Sequence, residues 1–297
     1  MVSTPSAHMT PAYVRSMEGL ADLFYHKRWP LGRYRETGDG IVRARNRAVE
    51  FFLRHPVQPT HLIFIDDDLE FDPRDIVTMI ECGLDVVGGV YPHKKIDWHK
   101  VHAAVLAGMA PERLPQIASP LVWNPKATQE EIDRLSVDPE RRGEERIAAK
   151  SFNDGRGHNF LEVKDLPTGF MCIRREVFEK MRAHYGDKIA FTPSIDHAGA
   201  DMATGVPAET GSARRHLYFH MDRYPDAPEG DYMSEDWWFC RQWQDMGGEV
   251  YAFVECRLTH YGTHAFSGSV SDHFDVGDQP SKEEKVEDVS ASQPAAE

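Results

Sequence analysis

The chain has 297 residues, with 34 Lys plus Arg against 48 Asp plus Glu, for a formal charge of −14 with His neutral. At 41% apolar and 28% charged residues the composition is that of a globular protein, which excludes collagenous, coiled-coil and wholly disordered chains. The acidic balance argues against a large sequence-independent nucleic-acid footprint, yet leaves room for a phosphate ligand that arrives with a divalent cation.

The longest apolar run, Ala103 to Ala110 with Gly108 counted in, is far short of the roughly 18 residues of a membrane span. Met1 to Thr10 has neither the basic nor the apolar segment of a secretory signal. Cys82, Cys172, Cys240 and Cys256 are widely spaced without a CxxC, the pattern of reduced, buried thiols. Together these point to a cytoplasmic protein with no membrane span.

In chain order, Val2 to Pro5 reads as a short first strand. Thr10-Pro11 starts a helix with a capping hydroxyl and a proline in the first turn, and Tyr13, Met17, Leu20 and Phe24 then fall on one face. A second helix is expected from about Ile41 to Leu53, burying Ile41, Ala44, Ala48 and Phe52. His61 to Ile65 is a near-continuous apolar strand of the kind buried on both faces of a mostly parallel sheet, and it ends in three aspartates. Asp72-Pro73 starts a helix that stops at Gly83, and Asp85 to Tyr91 is the next strand. This alternation predicts an α/β, Rossmann-like, doubly wound and mostly parallel sheet with helices on both faces. Its ligands would bind beyond the carboxyl ends of the strands.

From residue 96 to 156 the pattern fades into an insertion with some helix. Strands follow at Phe160 to Val163 and Phe170 to Ile173, and a helix at Glu176 to His184. A second irregular stretch, 194 to 215, precedes a strand near Leu217 to Met221. Ser234 caps a helix from Glu235 to Met246 that ends at Gly247-Gly248. A strand from Glu249 to Phe253 and the segment Leu258 to Gly262 close the core of a domain spanning 1–268. Residues 277–297, with six acids, two lysines and no aromatic, read as a disordered acidic tail.

Three constellations carry chemistry. Asp66, Asp67 and Asp68 follow the buried strand, and side chains two apart point the same way, so Asp66 and Asp68 can face one ligand. Their mutual repulsion is relieved by a hard cation, Mg²⁺ or Mn²⁺; a solvated Asp-rich turn is the plainer reading. Glu235 and Asp236 lie in the first turn of a helix, where the dipole favours ionised acids, and an ionised carboxylate can take a proton from an attacking hydroxyl. Acids are ordinary at helix starts, but Tyr232, Trp237 and Trp238 surround this pair, as suits a sugar or a core. His260, near a strand end, can complete a cation site begun by carboxylates, or be a core histidine. Arg43, Arg45, Lys94 and Lys95 could meet a diphosphate, and Gly169 allows close backbone approach to a ligand. Motifs of P-loop kinases, dinucleotide-binding dehydrogenases, zincin proteases and α/β hydrolases are absent from the sequence.

Taken in order, Ala44-Arg45-Asn46, the strand with Asp66-Asp67-Asp68, Asp85-Val86-Val87-Gly88-Gly89 with Tyr91-Pro92, Thr168-Gly169-Phe170, Ser234-Glu235-Asp236 and His260-Tyr261-Gly262 resemble a GT-A fold glycosyltransferase. The chain is similar to glycosyltransferase family 2 and to small stand-alone enzymes carried by bacteriophages.

The resemblance implies a metal site of Asp66, Asp68 and His260. It implies a nucleotide-sugar donor, a UDP-sugar first among the candidates, held by Pro5, Ser6, Arg45, Asp66, Asp67, Lys94 and Gly169. Asp236, with Glu235 beside it, would be the base of an inverting transfer. The acceptor hydroxyl would belong to a modified DNA base, a glycan or a protein, with Arg141-Arg142 and Arg214-Arg215 as candidate guides for a DNA backbone. Two other readings stay open, a metal-dependent phosphoesterase and a nucleotide-sugar or glycan-binding protein without turnover.

Overall fold

Alternate side chains of the strand His61–Ile65 meet different helices, and this division organises the fold. Leu62 and Phe64 pack with Ala48, Phe52, Phe178 and Phe239, whereas Ile63 and Ile65 pack with Tyr13, Leu20 and Ile76. A strand covered on both faces can be apolar at every position, which is the pattern read from the sequence. The computed structural model describes residues 1–5, 8–36, 40–126, 150–191, 215–223 and 232–274.

The first half contains β1 (Val2–Pro5), α1 (Pro11–Lys27), β2 (Arg33–Glu36), α2 (Ile41–Arg54), β3 (His61–Ile65), β4 (Leu69–Glu70), α3 (Pro73–Glu81), β5 (Val86–Gly89), α4 (Trp98–Leu106), α5 (Leu114–Ile117) and β6 (Asn124–Pro125). There follow β7 (Ser151–Asn153), β8 (Asn159–Asp165), β9 (Phe170–Arg174), α6 (Arg175–Tyr185), β10 (Ala190–Phe191), β11 (Arg215–His216), β12 (Asp222–Arg223), β13 (Tyr232–Met233), α7 (Glu235–Asp245), β14 (Tyr251–Phe253), β15 (Leu258–Tyr261), β16 (Ala265–Gly268) and α8 (Val270–His273).

The central sheet has the order β2-β1-β3-β9-β5-β14-β8-β6, with β7 also on β8. Among its nine described strands only β8 and β9 run against the rest. The sheet is therefore mostly parallel, with α1 and α3 on one face and α2, α6 and α7 on the other. This is a Rossmann-like α/β fold.

Local signals explain the helix ends. Thr10 Oγ1 accepts from the Tyr13 N–H at 3.2 Å, and Asp72 Oδ1 accepts from the Arg74 N–H at 2.9 Å, each just before a proline that opens the helix. Gly247, at φ +85°, turns the chain after α7 where a side chain would be strained. No helix among the described residues is long and apolar enough to cross a membrane.

The structure departs from the sequence expectations in four places. Strand β2 was not anticipated: it is an edge strand in which only Tyr34 is buried, so it shows no long apolar alternation. Ile41 is half-buried at the start of α2, where burial was expected. Leu217 to Met221 was expected as a strand but is irregular. Asn46 Oδ1 accepts from the N–H groups of Tyr218 and Phe219 at 2.7 and 3.1 Å, and Asn46 Nδ2 donates to the carbonyls of Val42 and Phe219 at 2.8 and 2.7 Å. A buried side chain thus replaces a neighbouring strand as the hydrogen-bond partner. Finally, β15 pairs with β16 and β4 in a separate three-stranded sheet instead of closing the central one. The 96–156 insertion contributes α4, α5, β6 and β7, while residues 127–149 and the acidic tail 277–297 lie outside the described residues.

Two predictions follow from this packing. Asn46→Ala removes four hydrogen bonds and leaves buried N–H groups without partners, so urea unfolding should show a loss of about 3 kcal/mol. Burial raises the Asp75 carboxyl from 3.8 to about 7, against a hydrogen bond from Cys256 that lowers it. The folded protein thus holds a proton that the unfolded chain releases near pH 3.8, and stability declines as pH rises from there to about 7. Asp75→Asn should be more stable than the parent at pH 8, by about 1–2 kcal/mol, and this advantage should vanish by pH 4.

Candidate functional site

The reversed strand β9 sets the geometry. It lies between β3 and β5, pairing Phe170 with Ile65 and Met171 with both Phe64 and Gly88, so its first residues stand beside the carboxyl ends of both neighbours. The Asp66 N–H donates to the Gly169 carbonyl at 2.8 Å. Gly169, Asp66 and the Tyr91-Pro92 segment after β5 are thereby gathered at one edge of the sheet.

Asp66 is the first residue past β3, and its side chain retains 28% exposure. Its Oδ1 is buried and has no hydrogen-bond partner, with Arg45 Nη2 3.8 Å away. Burial, opposed by Arg45, pushes the Asp66 carboxyl above its ordinary range. Arg45 is itself buried, and its guanidinium donates to Glu235 Oε1 at 3.1 Å and to the Thr168 carbonyl at 3.4 Å. It is a fixed charge beneath Asp66.

Asp67 points the other way, as strand alternation requires. Its Oδ2 accepts from the His8 N–H at 3.0 Å and its carbonyl from the Thr10 N–H at 2.9 Å, tying the loop after β1 to the aspartates. Pro5, two residues beyond the Ser3–Phe64 pair of β1 and β3, stands level with Asp66. Ser6 lies outside the described residues.

The small second sheet delivers the histidine. β15 pairs His260 with Leu69, and the Tyr261 N–H donates to the Asp68 carbonyl at 2.8 Å. His260 Nδ1 is 2.9 Å from the Pro92 carbonyl, which can only accept, so Nδ1 carries the proton. In the neutral ring Nε2 then presents a lone pair to Asp68 Oδ1 at 3.5 Å, and that oxygen is buried without a partner. Two acceptors facing each other call for a cation or a proton between them. The Lys94 ammonium donates to Asp68 Oδ2. Burial alone would raise the Asp68 carboxyl, but the neighbouring His260 ring and the Lys94 ammonium outweigh it and hold it low.

The donor set fits a hard divalent cation with two protein ligands and open positions, as Mg²⁺ adopts when phosphate oxygens complete its shell. Among the described residues no three His, Cys, Asp or Glu side chains are already gathered around one cation position. The expected trio is thus a close pair, Asp68 and His260, with Asp66 beside it.

Asp236, at the start of α7, has one oxygen occupied. Oδ1 accepts from the Ser234 hydroxyl and from the Trp237 N–H at 2.9 Å, while Oδ2 accepts no hydrogen bond among the described residues. Glu235 is buried against Arg45, which suits it to hold that guanidinium and not to act as a base. Of the other expected residues, Arg43 is exposed on α2, and Arg141, Arg142 and Arg214 lie outside the described residues. Asn46 is structural.

Sequence reasoning gave Tyr91 no role in the site, taking it as the end of a strand and, with Pro92, as one of the motifs that carry the resemblance. The ring is 7% exposed and meets His260 edge-on with centroids 5.0 Å apart. Burial, then the charges of Asp66 and Asp236, push its phenol well above the ordinary range. A Cβ on residue 169 would collide with the Tyr91 hydroxyl and approach Asp66 Oδ2 to 2.7 Å, which explains the glycine.

The chain matches no protein-family model and no curated protein. Among solved structures, one titled "Crystal Structure of A197 from STIV" aligns at 14% identity with a TM-score of 0.44, covering 96% of this chain and 98% of that one. At that level the likeness carries no argument about function.

The buried pair gives a stability prediction. Glu235→Ala leaves the Arg45 guanidinium buried with only a distant carboxylate and should cost about 3–5 kcal/mol in chemical unfolding. Asp236→Asn, at a half-buried position, should cost less than about 1 kcal/mol.

Proposed function

We propose that the protein is a metal-dependent glycosyltransferase of the GT-A type, moving a sugar from a nucleotide-sugar donor to a hydroxyl acceptor. The observation that carries this reading is the confrontation of His260 Nε2 with the unpartnered Asp68 Oδ1 at the carboxyl edge of the sheet. Asp68 and His260 would hold Mn²⁺ or Mg²⁺, with the unpartnered Asp66 Oδ1 beside them, and the metal would supply neutralisation of the charge that develops on the leaving diphosphate.

The chain's own groups do the rest. Lys94, which donates to Asp68 Oδ2 and is exposed there, would meet a phosphate oxygen of the donor. Arg45, pinned by Glu235 and the Thr168 carbonyl, stands 3.8 Å from Asp66 Oδ1 and opposes the effect of burial on that carboxyl. Asp236 Oδ2, left open while Oδ1 is held, accepts the proton of the acceptor hydroxyl. The bond between the anomeric carbon and the diphosphate oxygen breaks with its electron pair going to the diphosphate, and a bond to the acceptor oxygen forms. General-base assistance of this kind contributes about 10²- to 10⁴-fold in rate.

A phosphoesterase with paired metals would need a denser carboxylate set than Asp68 and His260 provide. The test is calorimetry with UDP-glucose, UDP-galactose, UDP-N-acetylglucosamine, GDP-mannose and dTDP-glucose, each with and without Mn²⁺. At least one should bind only with the metal, and Asp68→Ala and His260→Ala should each weaken that binding by about tenfold or more. Asp236→Asn should keep the binding and lose about 10²-fold or more in transfer to hydroxymethylated DNA, glycan or protein acceptors. Unchanged metal-dependent binding in Asp68→Ala would overturn the assignment.

A further inference from the structure

Two polar atoms flank the space above Gly169 without hydrogen-bond partners among the described residues. The Tyr91 hydroxyl and Asp66 Oδ2 both lie where a Cβ on residue 169 would project, yet neither has a hydrogen bond among the described residues. The phenol ring that carries the hydroxyl is 93% covered, so the group is held rigidly in place. Asp236 acts on the same phenol electrostatically, as does Asp66, so the hydroxyl lies within the field of the cation-side acid and of the proposed base.

The chemistry of this pair is selective. A neutral phenol donates and a carboxylate oxygen accepts, and a ligand that satisfies both at one point must itself accept and donate. An alcohol hydroxyl does so, whereas a phosphate oxygen only accepts and would be repelled by Asp66. A phosphate would find its cationic partner instead at Lys94, on the Asp68 side. The site thus divides into a cationic half for the diphosphate and a donor–acceptor half for a polyol.

We propose that Tyr91 is a specificity-determining residue of the site, its hydroxyl holding one hydroxyl of the transferred sugar against Asp66 Oδ2 over the bare backbone of Gly169. This rests on the glycosyltransferase reading and extends it by naming the contact that tells a nucleotide sugar from a bare nucleotide. Sites built to hydrogen-bond a substrate hydroxyl reject ligands that lack it, because their own polar groups are then left unpaired.

The experiment compares Tyr91→Phe with the parent in calorimetry with Mn²⁺, using UDP, GDP and dTDP on one side and the five nucleotide sugars named above on the other. The phenylalanine ring keeps the packing, so the melting temperature should stay within about 2 °C. Binding of the nucleoside diphosphates should change by less than about twofold, and binding of the accepted nucleotide sugar should fall by about tenfold.

Equal affinities of parent and Tyr91→Phe for the accepted nucleotide sugar would overturn this inference while leaving the glycosyltransferase reading intact. A loss that is as large for the nucleoside diphosphates would overturn it too, showing a general disturbance of the site. If no nucleotide sugar binds the parent protein, the functional reading fails and this inference with it.

Discussion

The reversal of β9 is the constraint on which the site depends. Had this strand run parallel to β3 and β5, its first residues would lie at the opposite edge, and Asp66 would face solvent without the Gly169 carbonyl beneath it. Because β9 is antiparallel, a turn and two strand ends share one edge. Arg45 can then reach both the Thr168 carbonyl and the acid at the start of α7. A single change of direction assembles residues that are up to 190 positions apart in sequence.

Charge is distributed along this edge with some economy. The most buried cation, Arg45, is neutralised by a buried carboxylate and steadied by a backbone carbonyl, as a low-dielectric setting demands. The more exposed cation, Lys94, rests on an acid whose other oxygen remains unpaired. One positive group is therefore locked and the other can be displaced, which is the arrangement a site needs if a charged ligand is to enter without dismantling its own support.

Much of this was legible in the sequence because it obeys local rules. The β3 strand declared itself by an unbroken apolar run, α1 and α3 by capping residues before proline, and the aspartates by their place at a strand end. What was hidden depends on contacts that no local pattern encodes. Edge strand β2 buries too little to alternate visibly, and the stretch around Tyr218 and Phe219 has strand-like composition but takes its hydrogen bonds from Asn46. Glu235 and Asp236 read locally as one pair at a helix start, and only the resemblance preferred Asp236. In the structure the helix turns Glu235 toward Arg45 and Asp236 toward Ser234, a difference that no local pattern encodes. Tyr91 was visible as an aromatic at a strand end and as part of a motif, but its place in the site arises from the missing side chain opposite.

The two-residue strand β4 has a mechanical meaning. It begins immediately after Asp68 and pairs with the strand that carries His260, and the Asp68 carbonyl accepts from the Tyr261 N–H, so the facing carboxylate and imidazole are both fastened to the small sheet. Their spacing is therefore fixed by the register of β4 on β15, and the short piece of chain after Ile65 is what hangs that ready-made pair at the edge of the large sheet.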